Sequence, residues 1–426
     1  MGSDDRDRFI DAVRVGSIAV VVLGHWLMAA VVRRDGELRA ANALASLPGL
    51  HLLTWLLQVV PLFFVAAGFA NARALARPGR RPAAFLAQRI AHVVPTPVVM
   101  TTVASIGLLV AGRAGASRST LQDVGAVVAQ PLWFLAVYLL VALVAPLQLG
   151  VHRRSPRSLL VLLPLGAGAL DAVRFGTGQD DAATLNYLLV FAFAQELGFW
   201  YADGRLRRVP VVGWLVAAVA AYGALVGLTA LGPYPVSLIG LPGQMSNMAP
   251  PTICVVLLTV GQLAVLLALR RPLEAVLHRP RPWRLVAVGN ALALSLFAWH
   301  LVALVLASGA AVVLGWGTPP PGSSSWWAHK PATMLLASAV LAGLVAVSAP
   351  LDRRLTGAKV HSTTTTTATV GAVLAAGAFA LVAAWGVSAP LSVGDAALFG
   401  WRGVPALAVA AAALGWLLVV APRRAR

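Results

Sequence analysis

The sequence is poor in charge, poorer still in acid, and nearly devoid of cysteine. Charged residues make up 11% of 426, whereas soluble domains carry about 25%. That scarcity excludes an ordinary water-facing globular surface. Asp and Glu number 15 against 33 Lys and Arg, a formal net charge of +18. On a soluble protein such an excess points to nucleic acid. Here the basic residues stand in short stretches between long apolar runs, which assigns them to membrane topology and argues against a nucleic-acid partner. The single cysteine, Cys254, excludes an internal disulfide, a cysteine metal site and a thiol relay; its apolar surroundings mark it as a packing residue. No phosphate-binding glycine loop, zinc-ligand spacing or Gly-x-Ser-x-Gly elbow occurs.

What the chain has in abundance is hydrophobic length, with 59% apolar residues. A spanning helix needs roughly 20 of them in succession. Runs of that kind fall at about 10–32, 51–72, 86–112, 130–150, 158–175, 183–201, 210–231, 251–269, 285–314, 330–350, 369–388 and 404–421. They are continuous rather than alternating with period two, which excludes an outer-membrane barrel. The fold expected is therefore all-α: a polytopic membrane protein of twelve helices. Residues 1–14 are charged and an apolar stretch to Val32 follows. The acidic content of that start, and the lack of a small-x-small cleavage site, favour a retained first helix over a signal peptide.

Charge divides the connecting segments into two classes. With a cytoplasmic N-terminus, the inner segments hold most of the arginines, among them Arg77, Arg80, Arg81, Arg153, Arg154, Arg207, Arg208, Arg353 and Arg354. The positive-inside rule then places both termini in the cytoplasm, as an even helix count requires. A richness in Ala, Val, Leu, Gly and Arg suits a bacterial gene of high G+C content, and hence a multi-pass protein of the bacterial inner membrane. The organisation changes after the tenth run: Ser362–Thr367 holds five consecutive threonines, which reads as a low-complexity linker. The expected division is a ten-helix membrane domain over 1–354, a Thr-rich linker over 355–368 and a two-helix appendage over 369–426. The outer segment 232–250 lacks charge but is rich in Gly and Pro, the mark of an ordered loop able to line an outward mouth.

Ionisable side chains inside apolar runs are costly and so draw attention first. His25 lies within the first run, and Asp11, Arg14, Ile18 and His25 share one helix face. Arg14 and His25 stand about 16 Å apart along the axis, with Arg14 toward the cytoplasm and His25 deeper. Such a face suits an anionic ligand held at the inner surface with its reactive end reaching inward. A snorkelling interfacial arginine and a packing histidine are the plainer alternatives. Glu196 and His300 are further ionisable groups in apolar runs, with supporting roles: Glu196 would neutralise an inner-leaflet arginine, pair with Arg205, or orient His25 or His92. Ser246, Asn247 and Thr252 flank the outer loop and are expected on the side of an acceptor.

The spacing Arg14, ten residues, His25 resembles the signature of the acyltransferase-3 family of integral-membrane O-acyltransferases. Three other stretches are similar to that family's motifs in the same order: Pro61-Leu62-Phe63-Phe64-Val65-Ala66-Ala67-Gly68-Phe69, then Pro131-Leu132-Trp133-Phe134-Leu135, then Ser295-Leu296-Phe297-Ala298-Trp299-His300. The resemblance covers about residues 6–354. It departs at Ala67, where the family often has Ser, and at Arg89-Ile90-Ala91-His92, where the family commonly shows two arginines. The resemblance implies transfer of an acyl group, usually acetyl, from cytoplasmic acyl-CoA to a hydroxyl of a glycan, lipid or secreted metabolite, without a metal. It implies His25 as base or acyl carrier, and Arg14, Arg89 and His92 on the donor side, facing the phosphates of coenzyme A. The competing expectation is a twelve-helix secondary transporter of the major-facilitator kind. It would need two similar halves, which the sequence does not display.

Overall fold

The computed structural model describes residues 7–241, 243–360, 363–388 and 403–420. The chain begins with α1 (Arg8–Met28), followed by a hairpin of β1 (Ala29–Arg34) and β2 (Glu37–Asn42), the short α2 (Thr54–Leu57) and α3 (Val60–Leu75). Then come α4 (Pro82–Val93), α5 (Pro95–Arg113), α6 (Arg118–Ala129) and α7 (Leu132–Arg154). Next are α8 (Ser158–Thr177), α9 (Asn186–Ala202), α10 (Val211–Leu231), α11 (Ile253–Ala268) and α12 (Arg270–Leu277). The series ends with α13 (Pro280–Val313), α14 (Ser324–Thr356), α15 (Thr365–Trp385) and α16 (Pro405–Leu417).

The polytopic all-α expectation holds. Ten helical segments among the described residues are long and apolar enough to cross a bilayer; α11 and α12 form an eleventh, bent by 62°, and α16 is a shorter apolar helix. The physical reason is that hydrocarbon offers no partners to a peptide group, so each run must satisfy its own backbone as a helix. Outward apolar side chains such as Leu231 (91% exposed) and Val313 (87%) would be untenable in bulk water in such numbers and are the surface a bilayer covers.

Two boundaries differ from expectation. The first apolar run reaches Val32, yet α1 stops at Met28 and the remainder is β1, paired antiparallel with β2 from Ala29↔Asn42 to Arg34↔Glu37. The two-residue Asp35-Gly36 loop has φ of 50° and 81°, the conformation that closes a tight hairpin and that Asp-Gly favours. The second difference concerns the threonine tract. Helix α15 begins at Thr365, because the Thr364 side chain accepts the Thr367 N–H as an N-cap, so part of that tract is helix.

The chain forms two compact units, one of residues 1–21, 48–78 and 144–293, the other of 22–47, 79–143 and 294–426. The C-terminal appendage belongs to the second unit together with α4, α5 and α6. In the first unit α3 and α9 press together at Gly68 and Gly198, where a Cβ on either residue would collide with the facing backbone; Phe64 stacks on Phe191 beside this crossing at 4.3 Å. The loop between α10 and α11 in this unit is pinned by a buried carboxylate. Asp171 is fully buried and accepts from Tyr234 Oη at 3.1 Å, from Asn186 Nδ2 at 2.9 Å and from the Ile253 N–H that opens α11 at 2.8 Å. In the second unit Arg39 of β2 makes two parallel hydrogen bonds to Asp123 of α6, at 2.7 and 3.0 Å, which fastens the hairpin.

Candidate functional site

The second unit brings His25 and His300 into direct contact. His25 stands in the last turn of α1, not midway along a helix as the apolar run suggested, because the hairpin takes the last part of that run. His300 stands on α13, 275 residues later, with its Nε2 2.8 Å from His25 Nδ1. The rings lie 9° from parallel with centroids 5.1 Å apart. At that hydrogen-bond length this is an edge-to-edge, near-coplanar arrangement, which aims each in-plane nitrogen at its neighbour.

The backbone decides which nitrogen carries which proton. His300 Nδ1 lies 2.6 Å from the carbonyl oxygen of Phe297. A carbonyl only accepts, so the neutral His300 ring carries its proton on Nδ1. Its Nε2 is then a lone pair, and the neutral His25 ring must donate Nδ1–H to it. The remaining nitrogen, His25 Nε2, is left as an unprotonated lone pair with no hydrogen-bond partner among the described residues. His300 is fully buried, whereas His25 is only partly so. The relay thus presents one basic nitrogen on an accessible ring and holds it in one tautomer.

Several contacts hold this pair. The Trp26 indole N–H donates to the His300 carbonyl at 3.0 Å, so neighbouring residues of α1 strap both the ring and the backbone of His300. Phe297 packs against His300 at 5.6 Å, and Phe134 of α7 packs against Phe297 at 4.9 Å. Two of the stretches noted in the sequence, the one around Phe134 and the one ending at His300, therefore meet. Buried Lys330 of α14 donates to the carbonyl oxygens of Trp26, at 3.1 Å, and Ala29. An ammonium among the orphan carbonyls at the C-terminal end of α1 is a favourable cap, and the end it caps is the turn bearing His25. Lys330 drew no attention in the sequence. Neither did Asp352, a buried carboxylate that accepts from Ser295 at 2.8 Å, Thr96 at 3.1 Å and Ser348 at 3.2 Å. Its only sequence signal was an acid in an otherwise basic helix end.

The other expected residues fall in several places. Arg89 and His92 share one face of α4, in the same unit as His25; Arg89 lies over the Phe85 ring at 5.2 Å and His92 is exposed. In the first unit, Arg14 pairs with Asp11 at 2.9 Å and donates through Nε to Asn290 Oδ1 at 2.8 Å, with its side chain 29% exposed. Glu196, also in the first unit, is fully buried and spoken for: Gln148 Nε2 donates to it at 3.0 Å, and its other oxygen lies 2.5 Å from His152 Nδ1. His152 in turn meets Asp203 at 3.0 Å. The partner of Glu196 is thus His152, whose only sequence signal is its place beside Arg153 and Arg154 at the end of α7, and not Arg205, His25 or His92. Ser246 and Asn247 are buried and serve the loop itself. Ser246 Oγ accepts the N–H groups of Met248 and Ala249, while Asn247 donates to the carbonyls of Pro235 and Ser237 and accepts from Thr252 Oγ1. An uncharged loop must satisfy its own buried backbone, and these polar groups are engaged in doing so. No group of three or more His, Cys, Asp or Glu side chains among the described residues is arranged to hold a metal ion.

No curated protein and no solved structure matches the chain. A family model does: the acyltransferase domain of the acyltransferase-3 type matches residues 7–353, a span that holds His25, His300 and α4 and stops before α15. The chain belongs to the acyltransferase-3 family and is an integral-membrane acyltransferase.

Proposed function

We propose that this enzyme moves an acyl group, acetyl as is usual in the family, from cytoplasmic acyl-CoA to a hydroxyl of a glycan, lipid or secreted metabolite at a bacterial inner membrane. The observation that carries the reading is the Phe297–His300–His25 relay and the unprotonated Nε2 it leaves on His25. A hydroxyl is a weak nucleophile and needs a base positioned to take its proton. In the base route His25 Nε2 takes the hydroxyl proton as the oxygen attacks the thioester carbonyl. The C–S bond then breaks, and the departing thiolate takes the proton from Nε2, giving ester and free thiol. In the acyl-carrier route Nε2 itself attacks the carbonyl and the C–S bond breaks to leave an acyl-imidazolium and a thiolate. The hydroxyl then attacks the acyl group, the C–N bond breaks, and the hydroxyl proton passes to the thiolate, giving ester and free thiol. In both routes Nδ1–H stays bonded to His300, so the charge on His25 develops against an oriented acceptor already in place.

On the donor side, Arg14 and, separately, Arg89 with His92 supply cations of the kind that phosphates of coenzyme A recruit. Losing one such charge-assisted contact costs about 1.5–3 kcal/mol, so Arg14→Ala and Arg89→Ala are each expected to weaken acetyl-CoA binding by roughly 10–100-fold. Calorimetry on the purified variants checks this, and unchanged affinity in both would identify them as topological charges only. The function itself is tested by mass spectrometry of cell envelope and secreted metabolites from wild-type and deletion strains. The expected difference is one acylated species; its absence, together with solute transport independent of acyl-CoA, would establish a carrier instead.

The reading also requires both termini, and the segments near residues 80, 154, 207, 280 and 356, to face the cytoplasm. Cys254 is fully buried and is replaced first. Single cysteines at those positions are then expected to resist a membrane-impermeant thiol reagent in intact cells, and labelling of Pro280→Cys from outside would overturn the orientation.

A further inference from the structure

Helices α15 and α16 lie beyond the family match, which ends at residue 353, yet they are not a separate module. Their small residues form continuous buried faces: Ala368, Gly371, Ala372, Ala375 and Ala378 on α15, and Ala408, Ala412 and Gly415 on α16. Spacing by three and four puts each set on one side of its helix. Small residues at such intervals let helices approach closely in a membrane, where dispersion rather than the hydrophobic effect drives association. The crossing is closest at Gly371 and Gly415, where a Cβ on Gly371 would reach 2.8 Å from the Gly415 carbonyl oxygen and one on Gly415 would reach 2.6 Å from that of Gly371.

The same Gly371 faces α4. A Cβ there would stand 3.5 Å from Ile90 Cδ1, and Ile90 is fully buried. Helix α15 packs along α4, and α16 touches both α4 and α5. Beyond its C-terminal end, α15 continues to a second anchor, where Ser388 lies against Gly125 of α6 so closely that no Cβ fits between. Helix α4 is twelve residues long and passes through Val94 into α5, which opens on Pro95; the two together make one apolar span, Pro82–Arg113. Its buried face includes Phe85, Ala87 and Ile90. Ile90 is the immediate neighbour of Arg89, whose guanidinium lies over Phe85.

We infer that the C-terminal helix pair is a positioning element for α4: it sets where Arg89 and His92 stand and thereby sets affinity for the acyl donor. The inference rests on the donor-side reading of α4 given above and extends it to a segment outside the family-matched region. A helix shifted by about 1 Å can lose an order of magnitude or more in an oriented contact. The side chains of α15 and α16 themselves touch neither donor nor acceptor in this account, so they act on binding and not on the chemical step.

The test uses the full-length protein in detergent or nanodiscs with acetyl-CoA as the probe. Gly371→Ala is a small wedge and Gly371→Leu a large one. Val373→Leu, at an exposed site of the same helix, is the control. The expected result is a graded rise in the KM for acetyl-CoA, about tenfold for the larger wedge, with kcat within about twofold and the control unchanged. Cysteine labelling of His92→Cys, on its exposed face, gives a second readout independent of turnover: its rate is expected to change in the Gly371 variants if α4 moves. Equal KM values and equal labelling rates in wild type and both wedges would overturn the inference while leaving the acyltransferase reading intact. A fall in thermal stability with KM unchanged would also overturn it, since that is what a purely structural helix pair produces. Wild-type protein that fails to use acetyl-CoA at all would instead sink the donor reading on which the inference rests.

Discussion

Replacing His25 by alanine is expected to lower acyl transfer by roughly 10²–10⁴-fold, the range for loss of a general base, with more if the residue carries the acyl group. The protein is expected to insert and accumulate normally, because His25 lies in the last turn of α1 and is only partly buried. His25→Gln separates hydrogen bonding from proton transfer. A glutamine amide can still donate to His300 Nε2, as His25 Nδ1 does now, but no amide accepts a proton at neutral pH. It is therefore expected to fail almost as completely as alanine. The measurement is the acylated species in envelope and secreted fractions, normalised to the amount of membrane-inserted enzyme. Wild-type product levels in the His25→Ala strain would make this histidine a packing residue and remove the catalytic assignment.

The second large effect is expected at His300, which does not touch the substrate in this mechanism but holds the tautomer of the residue that does. With His300→Leu, the His25 Nδ1–H loses its partner, while the Phe297 carbonyl keeps only its backbone bond within α13. A buried polar group left unpaired costs about 1–3 kcal/mol. His25 is then released to the tautomer protonated on Nε2, in which the reactive nitrogen cannot accept. Loss of kcat on the order of 10–100-fold is expected, with KM for acyl-CoA little changed. His300→Gln retains an oxygen acceptor for His25 Nδ1–H and is expected to recover part of that loss. A simple packing role predicts a different order, with both variants reducing the yield of folded protein and neither altering kcat per folded molecule. Ring-nitrogen chemical shifts of His25 in labelled protein supply the direct check: Nδ1–H in wild type, a tautomer mixture in His300→Leu.

The lesson of Glu196 is that an acid in an apolar run marks a polar cluster without naming its partner. The cluster holds a histidine, two carboxylates and an amide, His152, Glu196, Asp203 and Gln148, drawn from α7, α9 and the turn after α9. Nothing in local spacing links residue 152 to 196. Only the packing of α7 against α9 does so, and once buried such groups must find one another because hydrocarbon leaves no other partner. Ser246 and Asn247 teach the converse. A turn-rich loop was legible from composition, but its polar side chains satisfy its own backbone, a demand that no linear motif reveals.

Much about this protein was settled by the chain alone. Each of the twelve apolar runs overlaps a helix of the structure, because within a bilayer a continuous apolar run has one way to satisfy its backbone. Order and identity of short motifs likewise sufficed to place the chain in its family. Tertiary structure alone decided where α1 ends, since the Asp35-Gly36 turn competes with helix propagation only when β2 is there to pair with β1. It decided that His300 faces His25 across 275 residues of sequence and that Phe297 fixes the tautomer of both rings. It decided that α15 and α16, separable in sequence by a threonine tract, close around α4. In each case the physical reason is the same: local sequence sets what the backbone can adopt, while proton positions, ion partners and helix contacts are properties of neighbours that only the folded chain brings within reach.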